Sequence, residues 1–257
     1  MIAVLSPAKR LLPPTGSAPY LTRPVFLQEA QTLVELLREN SPWQLETLLR
    51  ANAKLAMEAY LAYQDFDPEA AGSAAMLTFH GLVFDHLAAA DFSSEDFDFA
   101  QAHLRLCSGL YGLLRPADGI LPYRLDLNNK LRIGKKNLYA FWGEKIYRSL
   151  FETGEVILNL ASGEYSRSFL PYLRPQDRVV NCVFLTYKRG KLATIVTDAK
   201  AARGEMARMM IKERITDAQD LRHFCWNGFA YSETRSTEQT MVFIRDGSPA
   251  AFFNGET

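Results

Sequence analysis

The sequence predicts an α/β protein, and three observations carry that reading. Met1 to Leu5 and Val156 to Leu160 are short runs that are apolar almost throughout, as buried strands are. Around them lie stretches with apolar residues at helical spacing, above all Phe26 to Ala62 and Asp198 to Ile215. The second strand also ends in polar Ser162, Glu164 and Tyr165, the kind of side chains an α/β sheet presents at its carboxyl edge.

Taken in order, MIAVL is a strand stopped by Ser6-Pro7, and the prolines from Pro13 to Pro24 impose coil. Leu33, Leu36 and Leu37 mark a first helix; Ser41-Pro42 supplies the N-cap and first position of a second, which carries Leu45, Leu48 and Leu49. Asp67-Pro68 is expected to begin a short helix, and Met76 to Phe79 to form a strand ending at Gly81. Ser93 with Asp96 offers a capping box for a helix running to Cys107, followed by the glycine turn Ser108 to Gly112. Lys130, Arg132, Lys135 and Lys136 form a basic loop around Gly134, and an aromatic-sided helix is expected from Leu138 through Phe151. Val179 to Thr186 and Leu192 to Thr197 read as a hairpin, Asp198 to Ile215 as a helix, and Met241 to Ile244 as a last strand before a frayed tail.

With 257 residues, 48% hydrophobic and 23% charged, the chain can build an ample core, and a single domain over 1–257 is expected. Lysine plus arginine and aspartate plus glutamate balance at 29 each, so a polyanion site has to be a local patch. Cys107, Cys182 and Cys225 are odd in number and far apart, which fits a reducing cytoplasm and gives no zinc spacing. Met1 to Leu5 is too short for a signal-peptide core and no stretch approaches a membrane span; a cytoplasmic protein with no membrane partner is expected.

The candidate site residues are polar groups set beside or between apolar runs, where burial is costly unless a partner or ligand is met: Ser6, Lys9, Arg115, Tyr123, Arg124, Asn159, Ser162, Glu164, Tyr165, Lys200 and Arg203. Ser6-Pro7-Ala8-Lys9 has the S-x-x-K spacing of a serine nucleophile, but Pro13 and Pro14 interrupt the helix that chemistry requires, and a lysine just past a strand can instead hold an anion. The Gly109 to Gly112 turn before Arg115 can bring amides to a phosphate, as helix-hairpin-helix modules do, or can be an ordinary glycine-capped helix end. Lys200 and Arg203 share a helix face beside Ala207 and Met210, either as a solvated basic face or as a phosphate clamp. Tyr123, Arg124 and Asp126, with Asn159, Ser162, Glu164 and Tyr165, can supply hydrogen-bonding groups; Glu164 can serve as an acid or base, or pair with Arg124 or Lys9. His80 and His86 flank Asp85 but no third ligand has telling spacing, so no metal and no cofactor is expected.

Together these segments resemble the YaaA family of peroxide stress proteins. The likeness rests on SPAK at the start, Phe97 to Gln101 leading to Ser108-Gly109-Leu110-Tyr111-Gly112-Leu113-Leu114-Arg115-Pro116, then Pro122-Tyr123-Arg124-Leu125, Phe141-Trp142-Gly143, Asn159 to Ser162 with Glu164-Tyr165, and Ala199-Lys200 with Ala202-Arg203-Gly204. The resemblance implies an α/β (α+β) fold: a mixed sheet with surrounding helices and a helix-hairpin-helix-like element, not a Rossmann topology. It also implies a cytoplasmic protein that helps cells survive hydrogen peroxide, limits damage from free iron and binds DNA, duplex or non-canonical, in a basic cleft. In that cleft Ser6, Lys9, Gly109, Gly112, Arg115, Tyr123, Arg124, Lys200 and Arg203 would hold phosphate. The rival reading is an enzyme acting on a nucleotide, or on a nucleobase in DNA, with Glu164, Tyr165, Asn159 and Ser162 doing the chemistry. Arg10, His86 and Gly163 stand where the family usually has threonine, glycine and an acidic residue. No iron cage or cluster motif is present in the sequence.

Overall fold

The computed structural model describes residues 1–13, 16–188 and 190–245; Pro14, Thr15, Arg189 and 246–257 lie outside them. Strands β1 (Ile2–Leu5) and β2 (Arg10–Leu11) lead into helices α1 (Leu27–Arg38), α2 (Pro42–Leu49) and α3 (Ala53–Gln64). Next come β3 (Ser73–Ala74), α4 (Ala75–Thr78), β4 (Phe79–His80), α5 (Leu82–Leu87) and α6 (Ser94–His103). Strands β5 (Leu104–Ser108), β6 (Gly112–Leu114) and β7 (Gly119–Ile120) precede α7 (Leu138–Trp142), α8 (Lys145–Phe151), β8 (Ile157–Asn159) and α9 (Gly163–Ser166). The chain closes with β9 (Val179–Lys188), β10 (Lys191–Ala193), α10 (Val196–Lys212), β11 (Phe229–Tyr231) and β12 (Thr240–Arg245).

The main sheet runs β11-β12-β9-β8-β1-β5-β6, with β10 paired to β9. Strands β12, β9, β8, β1 and β5 are mutually parallel, and β6, β10 and β11 attach antiparallel, so the sheet is mixed. Numbered along the chain, the five parallel strands lie in the order 2-1-3-4-5, not the 3-2-1-4-5-6 of a Rossmann sheet. From β1 the chain first adds β5 on one side and then β8 on the other. A reversal of that kind leaves a crevice beyond the carboxyl ends of the two strands it separates, here β1 and β8. Every residue of β1 is buried, which is why its sequence carries no alternation.

Local signals explain where several elements begin. Ser41 caps α2 with a full capping box through Gln44, Pro42 follows, and Ser93 does the same for α6 through Asp96. Each such cap is worth about 1 kcal/mol. The helical stretch after Ser41 is two helices: α2 ends where Arg50 turns left-handed, and the Asn52 side chain caps α3.

Six expectations are corrected. Asp67-Pro68 forms a turn, not a helix, and Met76 to Thr78 belong to the helical turn α4, with a strand only at Phe79–His80. Helix α6 stops at His103, because Leu104–Ser108 pairs with β1 and β6. The Leu138 to Phe151 helix breaks at Gly143, which adopts φ +48. The second arm of the late hairpin ends at Ala193, and α10 already begins at Val196. Finally, Gly109 to Gly112 joins two strands, so it is a β-hairpin turn and no helix-hairpin-helix-like element is formed there.

Candidate functional site

At the β1/β8 crevice lies a cleft of about 330 Å³. Ser6, one residue past β1, accepts the Ser162 backbone N–H at 2.8 Å and donates from Oγ to Ser162 Oγ at 3.2 Å, tying the two strand ends together. Asn159, the last residue of β8, is buried: its Nδ2 donates to Asn181 at 2.8 Å, and its Oδ1 accepts from the Ala161 N–H and Ser166 Oγ, both at 3.1 Å. It therefore fixes the turn into α9 and does not line the cleft.

The turn delivers Glu164 and Tyr165 to the cleft wall. Glu164 Oε1 accepts the Asn128 N–H at 3.0 Å, and the Glu164 carbonyl accepts the Tyr139 hydroxyl at 2.9 Å. Buried Tyr165 donates its hydroxyl to Asp126 at 3.1 Å, and Lys9 Nζ pairs with the other Asp126 oxygen at 2.9 Å. Burial, then the nearby Asp126 charge, pushes the Tyr165 phenol well above its ordinary range, so it stays protonated. Lys9 thus takes Asp126 as its carboxylate, and Glu164 is held by a backbone amide instead of by Lys9 or Arg124.

The opposite wall comes from α10. Its buried Ala199, Ala201 and Ala202 let the helix pack closely, and at Gly204 a Cβ would strike the Val83 carbonyl of α5. Lys200 and Arg203 line the cleft from this helix. Neither has a carboxylate partner among the described residues, and the buried Arg203 Nε has no hydrogen-bond partner there at all. Burial works against the Arg203 charge, lowering its pKa, and only the neighbouring Cys182 opposes that shift. The Cys182 thiol is itself pushed up to about 12 by burial, so it provides no anion. A guanidinium in this position gains from an anion entering the cleft, whose charge offsets the cost of burying it. Pro7, Ala8, Leu82, Val83, Phe84 and Leu160 make the rest of the lining apolar.

A second groove of about 630 Å³ adjoins the first and shares Lys9 and Arg10 with it. Arg124 lies here, its Nη1 donating to the Lys9 carbonyl at 3.3 Å, with Lys54 also on the lining.

The other sequence-derived candidates are structural. The Leu110 and Tyr111 amides already donate to Ser108 Oγ, at 3.2 and 2.9 Å, and the Gly109 carbonyl accepts the Trp142 indole N–H at 3.1 Å. Gly112, at φ +68, would place a Cβ 2.6 Å from the Trp142 ring, and one on Gly109 would strike the Leu125 carbonyl. Close packing, not phosphate, requires these glycines. Tyr123 is buried with its hydroxyl 2.7 Å from Ser108 Oγ. β6 carries the chain back toward the amino ends of β1 and β5, so Arg115 emerges away from the cleft. There it forks onto the fully buried Asp118 carboxylate at 3.1 and 2.9 Å. Lys9, Lys200 and Arg203 thus meet in one cleft, Arg124 sits in the adjoining groove, and Arg115 does neither.

Asp126 is the hub that sequence reasoning treated only as a neighbour of Tyr123 and Arg124. Its signal was a carboxylate between two core leucines, Leu125 and Leu127, each 3% exposed or less. Among the described residues no group of three or more His, Cys, Asp or Glu side chains is placed to hold a metal ion, and no helix is long and apolar enough to cross a membrane.

The family model described as peroxide stress protein YaaA matches residues 1–235, a span that holds every residue of the cleft. A UPF0246 protein of Lactobacillus delbrueckii subsp. bulgaricus is 41% identical over 246 residues, covering 95% of this chain and 98% of that protein. UPF0246 proteins of Lactiplantibacillus plantarum and Clostridioides difficile are 38% and 34% identical, covering 95% and 96% of this chain and 99% and 100% of theirs. This chain belongs to the peroxide stress protein YaaA family.

Proposed function

We propose that the protein serves the peroxide stress response by binding DNA through this cleft, with Lys200 and Arg203 on one phosphate and Lys9, Arg10 and Arg124 along the path of the strand. The observation that carries this reading is the pair of α10 cations without a carboxylate, one of them with a buried, unpartnered Nε. The cleft is far narrower than a duplex, so what enters is a single unstacked nucleotide, and bulged or single-stranded DNA is preferred to intact duplex. Binding that displaces cations condensed on the phosphates also removes iron from them, which is how it would limit damage from free iron. The test is equilibrium binding of duplex, bulged and single-stranded DNA by the wild type and by Lys200→Ala/Arg203→Ala. Loss of two charge-assisted contacts is expected to weaken binding about 30-fold. Equal affinity for the two proteins would contradict the proposal.

A second reading is favoured by the two carboxylates, Asp126 and Glu164, on the cleft wall, which phosphate binding alone does not call for. In it the same cations seat a nucleotide, or a nucleobase extruded from DNA, while Glu164 or the Lys9-Asp126-Tyr165 chain moves a proton. Base release or nucleotide turnover that disappears in Glu164→Gln would support this reading over simple binding.

A further inference from the structure

Trp43 is the most exposed large hydrophobic residue among those described, with 76% of its surface in solvent. It is the second residue of α2, held by the Ser41 capping box and Pro42, so its backbone is rigid while its ring is bare. Gln44, Thr47, Leu48 and Lys130 line the same shallow hollow. Lys130 begins the basic loop, which is docked on α2 through its own N–H to the Leu48 carbonyl at 3.1 Å and through Asn129 Nδ2 to the Leu49 carbonyl at 3.2 Å. Ile133 and Lys136 close the loop into a tight turn with reciprocal backbone bonds of 2.9 and 3.1 Å. Lys130, Arg132, Lys135 and Lys136 are all exposed, the loop from 130 to 136 has no acidic residue, and none of the four has an ion-pair partner among the described residues.

A bare indole beside a cluster of free cations is the pairing that single-stranded nucleic acid recognises: each base has a face to stack and each phosphate a charge to meet. The hollow also lies close to the cleft along the chain. Asp126 stands in the cleft and Lys130 in the hollow, and four residues of chain can separate them by no more than about 14 Å.

We propose that Trp43 and the 130–136 loop form a second nucleic-acid subsite, in which a base of a single-stranded segment stacks on the Trp43 ring as the strand leaves the cleft. This rests on the cleft reading above and adds to it a preference for unpaired strands.

The test uses the full chain, a single-stranded oligothymidylate and a duplex of the same length. Trp142 is fully buried and Trp226 half-buried, so an emission change at an exposed indole reports Trp43. Oligothymidylate should quench the wild-type emission, and Trp43→Phe should abolish that change. Trp43→Ala should bind the single strand about tenfold more weakly while Trp43→Phe stays within about twofold, and duplex affinity should be the same for all three. If Trp43→Ala matches the wild type and emission does not respond, while Lys200→Ala/Arg203→Ala still loses binding, the subsite is overturned and the cleft stands. If the wild type binds no oligonucleotide, both are overturned.

Discussion

The two ends of α10 carry the same kinds of residue in opposite circumstances. Toward the carboxyl end Arg208 forks onto Asp91 at 2.8 and 2.6 Å, while Lys212 and Arg214 meet Asp96 at 2.6 and 2.8 Å. Phe92 packs beneath the Arg208 and Lys212 cations, and Phe99 beneath Arg214. Toward the amino end Lys200 and Arg203 have no carboxylate among the described residues and face a cleft. The first set is satisfied by the protein and staples α10 to α6 and the turn before it; the second has no protein carboxylate among the described residues. A run of basic residues on one helix therefore says little until each cation's anion has been found.

The largest expected effect breaks the satisfied end. Asp96→Ala leaves Arg214 without its carboxylate and Lys212 with Asp91 alone, removes the capping-box partner of Ser93, and should cost about 2 kcal/mol in chemical denaturation while leaving DNA affinity unchanged. Lost DNA binding with intact stability would reverse the assignment of the two ends.

The same carboxylate gives a pH signature. Burial alone would raise the Asp96 pKa, but the bonds from Lys212, the Ser93 N–H and Arg214 outweigh it and hold the group well below the usual carboxylate range. A depressed folded-state pKa contributes stability that is fully present above the unfolded value of about 3.9 and is lost as pH falls below it. Wild-type stability should fall more steeply than that of Asp96→Ala between about pH 5 and pH 2, and parallel curves would remove Asp96 as the cause.

A smaller effect is expected in the adjoining groove. If the proposed strand path is right, Arg124→Ala removes one phosphate contact and should weaken DNA binding about threefold, lowering the salt slope by about one contact's worth. The smallest is Glu164→Gln. Its Oε1 can still accept the Asn128 N–H, so affinity should hold within about twofold, and any turnover on nucleotide or base should vanish only if the cleft is catalytic.

Where structure is decided locally, the residues are legible in sequence. β1 and β8 are read from unbroken apolar runs, α2 and α6 from their capping serines, and α10 from its helical spacing. Where partners decide, they are not. Leu104–Ser108 continues a helical pattern, and only its place between β1 and β6 makes it a strand. That one reassignment turns the Gly109 to Gly112 segment from a phosphate-binding hairpin into a packed β-turn, and carries Arg115 away from the cleft with it. The site was legible in part for the same reason: Ser6, Ser162, Glu164 and Tyr165 follow strand ends, and Lys200 and Arg203 share a helix face. That Asp126 joins Lys9 and Tyr165 depends on contacts 117 and 39 residues apart in the chain, which no local pattern encodes.

The decisive measurement is the salt dependence of bulged-DNA binding by the wild type and by Lys200→Ala/Arg203→Ala. Affinity should fall steeply with salt in the wild type, and the double variant should bind about 30-fold more weakly with a log–log slope shallower by roughly 0.7 to 0.9, the one phosphate that the two cations share. Binding that is flat in salt, or a double variant with the wild-type slope, would contradict a cleft whose free cations hold phosphate.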